Sequence, residues 1–221
     1  VRIHAQCVHT GSPRSTRERQ DMGRHPTLGC GWSVPPSVHR DRTWRDEYHL
    51  TLWAQDMRGY RNLMKLVSAG FTDGYYYKPR VDLELLAQYG DGLIVLSGCL
   101  GGGVQQHLMR DETGPARSLI SDYRAIFGER YFLELHHHHN PLEDKVRAAL
   151  LQLSAELGVR TVATNDFHYL RKDDSAAHDV LLCIGTGKMV ADTDRLRFDG
   201  DDFYFKSAEE MRELMAAAPE A

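Results

Sequence analysis

Apolar and polar residues alternate from Tyr48 to Ala54 (YHLTLWA), a period of two that predicts a strand. Asp56 follows as the N-cap of a predicted helix running to about Ala69, with Tyr60, Leu63, Met64 and Val67 on its apolar face. Val81 to Tyr89 predicts a short amphipathic helix, and Leu93 to Ser97 (LIVLS) is a compact apolar run suited to a buried parallel strand. Pro115 stands at an expected first helical position, and Leu119, Tyr123, Ile126 and Phe127 supply that helix with a core face. Tyr131 to Leu135 (YFLEL) predicts another strand. The clearest helix comes next: Asn140 as N-cap, Pro141 in the first turn, Glu143 three residues after the cap, and Gly158 as the stop. Leu142, Val146, Ala149, Leu150, Leu153 and Leu157 recur along it at helical spacing, and Arg160 to Thr164 (RTVAT) predicts the following strand.

Strands and helices alternating at this rhythm imply right-handed βαβ units and a parallel sheet or barrel. The strands of this series are too few to close a barrel of about seven or eight. Residues 1–45 break the pattern. They hold eight Arg, no Lys, four His, two Trp and two Cys, with Ser, Pro and Gly between them, and no period runs beyond a few residues. Two readings stand: a flexible, weakly basic arm, or a stretch that is not authentic coding sequence, such as a GC-rich gene read out of frame. The expected organisation is an unassigned, disordered or non-native segment at 1–45, a partial domain at 46–185 and a connector at 186–221.

Composition narrows the function classes. A hydrophobic share of 42% and a net charge of −4 over 221 residues fit a globular protein. They argue against a small stand-alone DNA-binding module, which would carry a positive field. No apolar run reaches the roughly 18 to 20 residues of a membrane span, and no signal pattern opens the chain. Cysteines at 7, 30, 99 and 183 have no paired spacing, so a reducing, cytoplasmic location is expected.

Three predicted strands run into residues with metal-ligand chemistry, and ligands of parallel sheets and barrels gather beyond the strands' carboxyl ends. LIVLS leads to Gly98-Cys99-Leu100-Gly101-Gly102, YFLEL to His136–His139, and RTVAT to Asn165-Asp166-Phe167-His168-Tyr169. Asp166 and His168, two apart, would point to one side and reach one Zn²⁺, Mn²⁺ or Fe²⁺; the bland alternative is a turn cap and a half-buried ring. Cys99 is a candidate ligand or a buried structural thiol. GCLGGG is no nucleotide-binding loop, since no Gly-Lys-Ser/Thr follows. The four consecutive histidines cannot all aim at one point, so at most two would serve a metal, and a solvated loop is the expected state. His49 and His178 read alone as ordinary strand and helix residues.

Five blocks carry a resemblance when taken in order: HLTLWAQDMRGYRNLMKLVS, GYYYKPRVDLELLAQY, GLIVLSGCLGG, VATNDFHYLRKDDSAAHDVLLCIGTGK and RLRFDGDDFYFKSAEEMREL. The series resembles the PHP (polymerase and histidinol phosphatase) domain of bacterial polymerase III alpha subunits, over about three quarters of the chain. That resemblance implies an α/β fold, a partial distorted (β/α)₇ PHP-type barrel that lacks its first strands and follows an irregular N-terminal segment. It implies metal ligands at His49, Cys99, Asp166 and His168, holding Zn or Mn, and phosphate contacts at Lys78 and Arg80, whose plainer reading is a solvated basic loop. It further implies a parent that carries out DNA-directed DNA synthesis in replication with Mg at its polymerase core. The implied partners are DNA, a proofreading exonuclease subunit and a sliding clamp, with no membrane. Some relatives use the site as a metal-dependent phosphoesterase or 3′–5′ exonuclease; in others it is an inactive scaffold. The family's leading His-x-His strand and its Gly-Cys-Glu strand have no match before residue 46, so little catalysis is expected of the chain alone. A free-standing small-molecule phosphatase fits less well, because the RFDGDDFYFKSAEEM block resembles a polymerase connector.

Overall fold

The computed structural model describes residues 2–9, 47–75, 78–198 and 200–221, with Arg2–His9 and Glu47 described by their backbone alone. The fold is mixed α/β. It comprises two compact units, Val1–Val95 with Tyr123–Arg130, and Leu96–Asp122 with Tyr131–Ala221.

The first unit is built on β1 (Arg2–His9) and β2 (Glu47–Ala54), which pair antiparallel with Ile3 opposite Leu52 and a register shift between Ala5 and Val8. The segment from which no element is expected thus contributes a strand, while the remainder of residues 10–45 lies outside the described residues. α1 (Met57–Thr72) starts where expected, with Asp56 Oδ1 accepting from the Gly59 N–H at 2.8 Å. Its buried face is Gly59, Leu63, Leu66 and Gly70, which keeps Leu63 from the predicted set, while Met64 is exposed. The reason is backbone proximity. A Cβ on Gly59 would sit 1.8 Å from Gly92 O and one on Gly70 would sit 3.4 Å from Arg80 O, so the glycine stripe sets which side turns inward.

The expected helix from Val81 begins instead as β3 (Val81–Asp82), parallel to β1, and continues as α2 (Leu83–Tyr89) capped by Asp82 Oδ1. β4 (Leu93–Leu96) follows, so the strands of this unit lie in the order β3-β1-β2-β4. Their mixed directions differ from the all-parallel arrangement expected, because β1 and β2 run antiparallel. Arg130 donates to Gly90 O and Leu93 O at 2.6 and 2.8 Å, tying down the turn that enters β4.

In the second unit a helix that periodicity did not reveal, α3 (Gly103–Met109), follows the SGCLGGG turn. α4 (Thr113–Phe127) begins two residues before Pro115 and is shared by the two units, with Ala116, Leu119 and Ile120 buried in the part that belongs to this one and Tyr123 and Phe127 buried in the part that belongs to the first. β5 (Tyr131–Leu135) pairs parallel with β6 (Thr161–Ala163), Leu133 opposite Thr161. The crossover between them is α5 (Pro141–Leu157), entered at Asn140 and ended at Gly158 with φ 63°. Leu133, Leu135, Val146, Leu150 and Leu153 are almost fully enclosed. Each such side chain contributes about 1.5–3 kcal/mol of transfer free energy. Leu142, expected on the core face, is 49% exposed because it lies in the helix's first turn. α6 (Ser175–Thr186) and α7 (Ala208–Leu214) complete the unit. No helix among the described residues is long and apolar enough to cross a membrane.

Candidate functional site

A buried polar cluster forms in the second unit where β4, β5 and β6 end. Ser97 continues β4, donating its N–H to Phe132 O. Gly98 then takes φ 88°, open to glycine alone at low cost, and its N–H points at Glu134 Oε2, 3.0 Å away. Glu134, on β5, is an almost wholly buried carboxylate. Its other oxygen accepts from the Thr164 hydroxyl at 2.6 Å. Burying that charge is tolerated because charged-group hydrogen bonds replace the lost water. Gln105 on α3 braces the turn by donating to Ser97 Oγ and Gly98 O, both at 2.7 Å, while its buried Oε1 has no hydrogen-bond partner.

The four histidines split by parity. His136 and His138 are buried, 8% and 5% exposed, whereas His137 and His139 lie outside that burial with their rings 4.9 Å apart. The expected solvated loop is therefore corrected. His136 and His138 turn inward onto buried partners, Thr164 for the first and Glu143 for the second, while His139, with φ 56°, ends the run. The expectation that at most two could share a ligand agrees with that geometry. His136 Nε2 lies 2.8 Å from Thr164 Oγ1 and 3.4 Å from Glu134 Oε1. Burial presses its pKa down, but the Glu134 hydrogen bond and the Glu134, Asp166 and Glu143 charges win, leaving it raised. His138 sits between Glu143 Oε1 (2.9 Å from Nδ1) and the Asn165 carbonyl (2.7 Å from Nε2), and stacks on Phe203 at 4.1 Å.

The sequence pattern has Glu143 closing a capping box at the start of α5. Its carboxylate instead accepts from the His138 backbone N–H at 2.6 Å, and its other oxygen lies 2.9 Å from the ring's Nδ1. Burial pushes this carboxyl up, and the His138 bonds and charge more than reverse that, so it lies below the usual range. One ring nitrogen from each of His136 and His138 and an oxygen of Glu143 fall within 4.8 Å of one another, a group able to hold a metal ion. A pocket of about 220 Å³, counted to its open mouth, is lined by Cys99, Gln105, Glu134, His136, Glu143 and Arg147 among others.

Of the ligands that the resemblance implies, Cys99, Asp166 and His168 lie in this unit and His49 lies in the first. Asp166 Oδ2 and His168 Nε2 are 3.8 Å apart. Their approach does not come from strand pleating, because β6 ends at Ala163 and Asp166 has φ 40°. Left-handed backbone at a non-glycine residue is costly and concentrates at functional positions. The Cys99 thiol is half-buried; burial first, then the Asp166 and Glu134 charges, push its pKa up. His49 is exposed on β2, Lys78 is exposed and Arg80 half-buried, all in the first unit. His178 contacts the His168 and Phe198 rings at 5.5 and 5.0 Å. Sequence reading missed Glu134, Thr164 and Gln105. A carboxylate inside an otherwise apolar strand, YFLEL, was the signal available for the first.

The family model described as PHP domain matches residues 4–138. Among curated proteins, the chain is 47% identical over 197 residues to a DNA polymerase III subunit alpha from Deinococcus radiodurans, covering 86% of this chain and 15% of that protein. It is 45% identical over 198 residues to the subunit of that name from Treponema pallidum, covering 87% and 17%. With the subunit from Borreliella burgdorferi the figures are 40% over 215 residues, 96% and 19%. The chain thus spans less than a fifth of the length of these relatives.

Proposed function

This chain belongs to the PHP domain family, and on that premise we propose that it is a segment of a replicative DNA polymerase III alpha subunit carrying part of a metal-dependent phosphoesterase site. The observation that carries the reading is identity of 40–47% to proteins of that name along 86–96% of the chain. In this reading the chain is part of a distorted (β/α)₇ PHP-type barrel, and His49, Cys99, Asp166 and His168 are its expected ligands for Zn or Mn. The polymerase core, with its Mg, and the contacts to DNA, proofreading subunit and clamp belong to the longer protein, working in the cytoplasm.

The residues fit such an ion. A carboxylate and an imidazole stand 3.8 Å apart on one loop, and a thiol that feels the Asp166 charge lies on another. Oxygen, nitrogen and sulfur donors together suit a borderline cation. A bound divalent ion supplies an acidified water and polarises a phosphate ester. The chain's own part is to hold the ligands. Phe203 O accepts from the His168 N–H at 2.8 Å, and Asn165 Nδ2 donates to Tyr204 O at 2.6 Å, fixing the loop on both sides of Asp166. Lys78 and Arg80 are proposed to meet backbone phosphates.

The test uses the full chain, stripped of metal and titrated with Zn²⁺ and Mn²⁺, alongside release of nucleotides from single-stranded DNA. Asp166→Ala and His168→Ala are expected to weaken binding by more than the roughly 10- to 100-fold typical of losing an outer-shell partner. Unchanged binding in both variants would refute the site. Ion binding without nucleotide release, in the chain and in the polymerase that contains it, would favour the scaffold reading over hydrolysis.

A further inference from the structure

We infer that His136, His138 and Glu143 form a separate three-ligand site for a borderline divalent cation such as Zn²⁺. The inference does not rest on the polymerase reading or on the Asp166–His168 pair.

Proton positions fix the direction of each lone pair. A carbonyl oxygen only accepts, so the 2.7 Å contact between His138 Nε2 and Asn165 O requires an Nε2–H. That leaves Nδ1 with its lone pair facing Glu143 Oε1 at 2.9 Å. A lone pair and a carboxylate oxygen repel unless a cation, H⁺ or a metal ion, lies between them. At His136 the Thr164 hydroxyl spends its one proton on Glu134 Oε1, so its oxygen accepts from His136 Nε2–H. In the neutral ring His136 Nδ1 then keeps a lone pair too. Both rings thus have one nitrogen anchored on an oxygen acceptor, the arrangement that orients metal-ligating histidines. One nitrogen from each ring and an oxygen of Glu143 lie within 4.8 Å of one another.

Charge and surroundings agree. Glu143 and Glu134 together offset a dication. Arg147, on the pocket wall, turns its guanidinium to Asp144 Oδ1 at 2.7 Å and to His136 O at 3.1 Å. The same wall carries Gln105, 2% exposed, whose Oε1 lacks a hydrogen-bond partner. Three protein ligands with a water in the fourth position is a familiar open zinc arrangement.

The experiment takes the full chain bearing Asp166→Ala and His168→Ala, stripped of metal and loaded with Co²⁺ or Zn²⁺. One ion is expected to stay bound, with two imidazole nitrogens at about 2.0 Å by X-ray absorption. Adding His136→Gln should weaken it at least a hundredfold, whereas His137→Gln with His139→Gln should leave it in place. No retained ion, an ion without imidazole neighbours, or one lost with the outward pair would overturn the proposal. The absorption spectrum needs no change in the cluster, so it decides the matter even where His136→Gln unfolds the chain. Loss of nucleotide release in the Asp166 variant alone would bear on the earlier reading and not on this one.

Discussion

Asp179 and Arg195 show how one pair can carry a pH dependence. Arg195 Nη1 and Nη2 donate to the two carboxylate oxygens at 2.6 and 2.7 Å. This two-pronged geometry is the strong form of an ion pair. The guanidinium holds the Asp179 carboxyl below its usual range. A depressed carboxylate pKa stabilises the fold above the unfolded value of about 3.9 and loses that contribution as pH falls through the folded value. Asp179→Asn should therefore lower the thermal midpoint at pH 7, with the gap to the parent chain narrowing as pH drops below 4. Thermal melts across pH 3 to 7 check this, and a gap constant over that range would count against it. Asp and Arg were both visible in the sequence. Their partnership was not, because it joins α6 to a loop that periodicity cannot describe.

At the scale of elements, starts and stops were legible and faces less so. Asp56, Asn140 and Gly158 act where local chemistry placed them, since caps depend on a residue and the few backbone groups beside it. Hydrophobicity ranks Met64 above Gly59 and so misplaces the buried face of α1, whereas close approach to Gly92 decides the contact. Gly59→Ala should cost about 1–3 kcal/mol or more, as overpacking does. Gly114→Ala, with open space around it, should change stability by no more than about 0.5 kcal/mol. Urea unfolding of the two variants provides the comparison, and equal midpoints would show that the backbone yields without strain. The histidine run misleads for a related reason. Composition makes a polar tract look solvated, but Thr164 and Glu143, supplied from elsewhere in the fold, hold two of the four rings inside.

At the scale of the molecule, α6 leaves apolar side chains uncovered: Val180, Leu181 and Ile184 are 46%, 62% and 72% exposed. Contiguous apolar surface of this kind drives association. Leu181→Lys with Ile184→Lys should reduce concentration-dependent self-association while changing stability by only about 0.5 kcal/mol. Sedimentation velocity over a range of concentrations measures it, and undiminished association would point to another surface.

Strands β2, β4, β5 and β6, helices α1, α4 and α5, and the caps at Asp56, Asn140 and Gly158 follow from local chemistry, because period, propensity and capping act over a few residues. What only tertiary structure decided is which groups share a buried space. The mixed strand directions of the first unit, the glycine contacts of α1, and the linking of Glu134, Thr164, His136, His138 and Glu143 join residues distant in the chain. Hydrogen bonds hidden from water have to be completed wherever the fold brings donors and acceptors together, and no linear pattern records that meeting.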